Sequence, residues 1–69
     1  MSERQVEIAI DAMGGENSPY KVLKGTEIFL QNEKNTKVIF FGDEKLIKDL
    51  INKNNLDIFN FEVVNTEDS

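Results

Sequence analysis

Residues 6–19 read VEIAIDAMGGENSP, and the fold follows from how that stretch changes character along its length. At first Val6, Ile8 and Ile10 alternate with Glu7, Ala9 and Asp11, the period of two expected of a strand. Residues 12–18 carry Gly14 and Gly15 and read as a loop. Ser18 then suits a helix N-cap, and Pro19 suits the first helical position, where its missing N–H has no partner to lose. A strand thus runs through a glycine loop into a helix.

Downstream the same alternation of elements recurs. The first helix is predicted over about 19–33, with Val22, Leu23, Thr26, Phe29 and Leu30 on one face. Gly25 in its middle costs about 1 kcal/mol relative to Ala, which a close approach of helix to sheet would offset. Residues 37–41, KVIFF, are a short apolar strand closed by Gly42 and Asp43. Asp43 caps a second helix, Glu44–Lys53, whose Leu46, Ile47, Leu50 and Ile51 form one stripe. Asn54 and Asn55 can supply a left-handed C-terminal turn, and the chain connects onward through Asp57. Residues 58–64, IFNFEVV, are the third strand, with Phe59, Phe61 and Val63 on one side.

The order is βαβαβ, without repeats or a linker, so residues 1–69 are expected to form a single partial domain of the α/β class. Strands alternating with helices imply a parallel sheet and right-handed crossovers, a Rossmann-like arrangement. With strand order 3-2-1 both helices cover the same face. Yet the second strand is apolar on both sides, Val38 and Phe40 on one and Ile39 and Phe41 on the other. Parallel sheets are normally buried on both faces. More protein is therefore expected over the second face, from later sequence or a partner subunit, and the chain reads as the N-terminal part of a larger three-layer domain.

Composition narrows the chemistry. Sixty-nine residues bury only about 60% of their unfolded surface, which makes for a marginal domain. There is no Cys and no His, so disulfides, zinc sites of the Cys/His type and Cys–His or Ser–His catalytic pairs are excluded. Eight basic residues face thirteen acidic ones, a net charge of −5. The lysines are scattered, with Arg4 the single arginine, so no basic patch offers itself to nucleic acid. No apolar run reaches the length of a membrane span, and the first residues lack a signal-peptide pattern. A cytoplasmic protein without a cofactor is expected.

In folds of this kind ligands bind at the carboxyl ends of the strands, where loops lead into helix N-termini. The candidate substrate- or phosphate-binding residues are therefore Asp11, Met13, Gly14, Gly15, Glu16 and Asn17. The glycines permit positive φ and close approach of a ligand to the backbone. The helix start behind them offers free N–H groups to an anion. A purely structural tight turn explains the glycines equally well, and Asp11 can simply cap its own loop. The spacing matches neither the dinucleotide fingerprint G-x-G-x-x-G nor the P-loop.

The wording of the loop is more specific than its pattern. Residues 8–15, IAIDAMGG, near the start of the chain, resemble the amino-terminal signature of the phosphate acyltransferase family. That signature is aspartate, alanine, methionine, two glycines, then Asp, His or Asn, Ala and Pro. The chain agrees at residues 11–15, at Asn17 and at Pro19, and departs at Glu16 and Ser18. Glu16 keeps the charge on a longer side chain, and Ser18 improves the helix cap. More loosely, the likeness continues through Lys24-Gly25, residues 38–43 and the third strand.

The resemblance implies attack of inorganic phosphate on the thioester of an acyl carrier protein, giving acyl phosphate for phospholipid synthesis. It also implies a Rossmann-like fold, a homodimer in the full-length form, and a cytoplasmic or peripheral membrane location. It covers about the first fifth of such a protein, so the chain alone is expected to be inactive, and its catalytic acid and base are unassigned.

Other features have plainer readings. Gly42-Asp43-Glu44 is either a rim contact to substrate or, as favoured, a turn with a helix cap. Phe29, Phe40, Phe41, Phe59 and Phe61 read as core or subunit-contact residues rather than an acyl groove. A free-standing half-Rossmann module for a phosphate-bearing ligand or a protein partner is the alternative function. An enzyme of the phosphotransacetylase or decarboxylating-dehydrogenase type shares the fold without the wording of residues 11–15.

Overall fold

A computed structural model describes residues 5–13 and 19–66. The elements are β1 (Val6–Asp11), α1 (Pro19–Asn32), β2 (Thr36–Gly42), α2 (Glu44–Lys53) and β3 (Phe61–Asn65). The three strands are parallel and ordered β1-β2-β3, with the middle of the chain in the middle of the sheet. This is the βαβαβ unit of the α/β class that the alternating pattern predicts.

Register decides which side chains form the core. Ile8 lies opposite Val38 and Val38 opposite Phe61, while Ile10, Phe40 and Val63 form the next row. Along β2 burial alternates residue by residue, with Val38 and Phe40 fully enclosed. Leu23 of α1 and Ile47 and Ile51 of α2 close over this face. Phe40 and Phe61 meet edge to face, centroids 6.0 Å apart.

The chemistry of α2 is legible at both ends. The Asp43 carboxylate accepts the Leu46 N–H at 3.2 Å, as an N-cap should. At the other end Asn55 adopts φ 55°. Leu56 N–H donates to the Ile51 carbonyl at 3.0 Å and Asn55 N–H to Asn52 at 3.2 Å, the paired bonds of a Schellman turn. The apolar contact that accompanies this turn comes from Leu56 and Ile51, both buried.

Three expectations need correction. The third strand starts at Phe61, not residue 58. Leu56 and Ile58 instead insert into the core from the connecting loop, the chain bends at Asn60, and Phe59 is thrown outward with 84% of its surface exposed. The ladder begins where Val38 N–H donates to the Asn60 carbonyl. Gly25 is not at a close approach of helix to sheet: a Cβ placed there meets none of the described residues within 4 Å. Phe29, placed by the pattern on the apolar face of α1, is not in the core of this chain but 43% exposed, and Glu27 takes a buried place in the stripe alongside Leu23 and Thr26.

The second face of the sheet carries no element among the described residues. It is not uniformly apolar. Toward the strands' amino ends Lys37 pairs with Glu62, and that hydrogen bond raises the lysine pKa above its ordinary value. Ile39 and Phe41 remain half-buried there, and Val64 is exposed.

Candidate functional site

Because all three strands point the same way, Asp11, Gly42 and Asn65 end along one edge, with Asp11 opposite Phe41 and Gly42 opposite Asn65. The first strand-to-helix loop leaves from this edge. Ala12 N–H donates to the Phe41 carbonyl at 3.0 Å, so the ladder persists one residue beyond the strand. The exposed Asp11 carboxylate accepts the Met13 N–H at 3.1 Å, which turns the chain back on itself.

Met13 is then anchored by packing. A Cβ on Gly42 would collide with the Met13 side chain and would crowd the Ile47 Cδ1 at 3.2 Å. The hydrogen at Gly42 is what leaves room for Met13, and Met13 ties the loop to the middle strand. Of the predicted site residues, Asp11 and Met13 therefore sit together at the carboxyl edge. Gly14, Gly15, Glu16 and Asn17 lie outside the described residues, as does the expected cap Ser18.

The second turn on the same edge is consumed by its own structure. Asp43 caps α2, the Asn65 side-chain oxygen accepts the Glu44 N–H at 3.1 Å, and Thr66 N–H donates to the Gly42 carbonyl at 2.9 Å. Glu44 pairs with Lys48 one turn on, at 2.8 Å. With carboxylates at its start, this turn repels an anion. The first turn of α1 has no acidic residue and carries Lys21. Of the two helix starts, that of α1 thus has the less negative first turn.

Sequence reasoning missed Glu27. Its carboxylate accepts Lys24 Nζ at 2.8 Å and, from the α2–β3 connection, the Asp57 N–H at 2.8 Å. The Lys24 hydrogen bond first, and the Asp57 N–H second, hold its pKa below the ordinary 4.5. Its position, four residues after Leu23 and three before Leu30, was the available signal: a carboxylate inside an apolar stripe. Asp57 precedes β3, so this brace ties α1 to the amino end of the sheet, away from the candidate site.

Among the described residues no helix is long and apolar enough to cross a membrane. The family model described as "Fatty acid synthesis protein" matches residues 6–69. A phosphate acyltransferase of Pelagibacter ubique (strain HTCC1062) is 40% identical over 63 residues, covering 91% of this chain and 18% of that protein. One from a Nitratiruptor species is 42% identical over 64 residues, with the same 91% and 18% coverage. One of Onion yellows phytoplasma (strain OY-M) is 44% identical over 48 residues, 70% of this chain and 13% of that protein. The chain thus spans less than a fifth of the length of these curated relatives.

Proposed function

Since the chain belongs to the fatty acid synthesis protein family, we propose that the protein is a phosphate acyltransferase and that this chain supplies its first βαβαβ unit. The observation that carries the reading is the placement of the family's loop wording. Asp11 and Met13 stand at the carboxyl edge of a parallel sheet, and α1 begins just beyond the loop.

In the reaction a phosphate oxygen attacks the carbonyl carbon of an acyl carrier protein thioester. The new C–O bond forms, the C–S bond breaks, and the thiolate leaves and takes up a proton. Gly14 and Gly15 allow the backbone to approach the phosphate, and the N–H groups at the α1 start, with Lys21, balance its charge. Asp11 acts through the backbone, by setting the turn at Met13. The acid, the base and the remaining oxyanion donors come from other parts of the protein, so the 69-residue chain alone is inactive. A cytoplasmic homodimer with peripheral membrane contact fits a reaction that passes a carrier-bound acyl chain toward phospholipid.

The test is consumption of acyl carrier thioester by the intact protein across a phosphate series. A rate that saturates in phosphate, and a raised phosphate KM in Gly15→Val, are expected. A rate indifferent to phosphate sinks the reading and leaves the alternative, a half-Rossmann binding module.

A further inference from the structure

Gly42 closes β2 on the buried face that Val38 and Phe40 present to the helices. It is a strand residue without a positive φ, so its backbone would accept any side chain. What a side chain would meet is Met13. A Cβ at residue 42 runs into the Met13 Cγ, with the Met13 Sδ and the Ile47 Cδ1 each 3.2 Å away. That Cγ is a single bond from the Met13 Cβ, so flexing the end of the thioether does not relieve the overlap. Either Met13 changes its χ1 rotamer or its backbone lifts off the strand.

Three contacts hold Ala12 and Met13 at the carboxyl edge. The Ala12 N–H bond to the Phe41 carbonyl fixes the chain beside β2, and the Asp11 carboxylate sets the turn at Met13. Neither decides how deeply the Met13 side chain settles. The bare backbone at Gly42 does, with the fully buried Ile47 beside it. Met13 leads directly into Gly14 and Gly15. We infer that Gly42 is a positioning residue for the phosphate site: it seats Met13 over the end of β2, and that seat sets where the candidate phosphate loop leaves the sheet. The role rests on the acyltransferase reading above; the contact between the two residues does not.

The KM values for phosphate and for acyl carrier thioester are measured on the intact protein and on its Gly42→Ala, Met13→Ala and double variants. Each single change is expected to raise the phosphate KM about tenfold, through misplacement of the loop, while the thioester KM stays within about twofold. Loss of folded protein alone lowers the maximal rate at unaltered KM, so it does not imitate this result. In the double variant the overlap is gone, but so is the anchor. Its phosphate KM should therefore sit near the same tenfold, not at the product of about a hundredfold that independent sites would give. An unaltered phosphate KM in either single variant, an equal rise in both KM values, or effects that multiply would overturn the inference. Should Gly42→Ala fail to fold, Met13→Ala decides alone: a selective rise in phosphate KM supports the role, and its absence overturns it. A wild type whose thioester loss is indifferent to phosphate rejects the acyltransferase reading and this role with it. A wild type that saturates in phosphate, beside variants of unaltered KM, rejects the role of Gly42 alone.

Discussion

The two helices join neighbouring strands over the same face of one sheet, yet they use their side chains differently. α2 commits Ile47 and Ile51 to the core with Leu50 packed against it, and both its ends are closed by side-chain or turn hydrogen bonds. α1 buries Leu23 and Thr26 but leaves Ile28 54% and Phe29 43% exposed, and places Gly25 where a Cβ would meet none of the described residues within 4 Å. A helix serving only as a crossover has no reason to carry apolar residues around its circumference. α2 is scaffold. α1 is scaffold on one face and leaves apolar residues exposed elsewhere, and it is α1 that follows the candidate loop.

That contrast can be broken by substitution. Ile47→Ala and Leu23→Ala, both in fully enclosed sites, should each cost about 2–5 kcal/mol, which in a unit this small shows as loss of the cooperative urea transition. Asp43→Ala removes the α2 cap and should cost about 1 kcal/mol. Gly25→Ala should move the midpoint the other way by up to about 1 kcal/mol; a loss instead would mean that α1 is packed closely there after all. Ile28→Ser and Phe29→Ser should stay within about 0.5 kcal/mol. A cost like that of Leu23→Ala would erase the distinction between the helices.

The Glu27 brace sharpens the comparison on the pH axis. Its folded pKa lies below its ordinary 4.5, so the folded state binds fewer protons than the unfolded one through the acid range. The stabilisation is present above pH 4.5 and is lost as pH falls through the lowered folded value. Glu27→Gln should flatten that acid limb in urea midpoints measured against pH. An unchanged limb would mean that the charge Glu27 presents to Lys24 and to the Asp57 N–H contributes nothing.

Much of this architecture was legible in the sequence, because it rests on local chemistry. The alternation at Val6, Ile8 and Ile10, the cap at Asp43 and the left-handed Asn55 each announce themselves within a few residues. The third strand was overextended because Ile58 and Phe59 have strand-like composition, while the bend at Asn60 is set by where β3 meets Val38. Glu27 was missed, and Gly25 misread, for a related reason. Their surroundings, the Asp57 N–H beside Glu27 and the open space beside Gly25 among the described residues, are fixed by packing between distant segments. At the site, position and wording were readable. The contact of Met13 with Gly42 joins residues far apart in sequence and emerged only from the fold.

Thioester loss alone does not distinguish transfer to phosphate from transfer to water, so the identity of the product is the most direct test of the account. The intact protein is incubated with acyl carrier thioester, with and without phosphate, and the products are identified by phosphorus NMR and mass spectrometry. Acyl phosphate formed only with phosphate, one for each carrier thiol released, is the predicted result. Free fatty acid in equal amount with and without phosphate would contradict it.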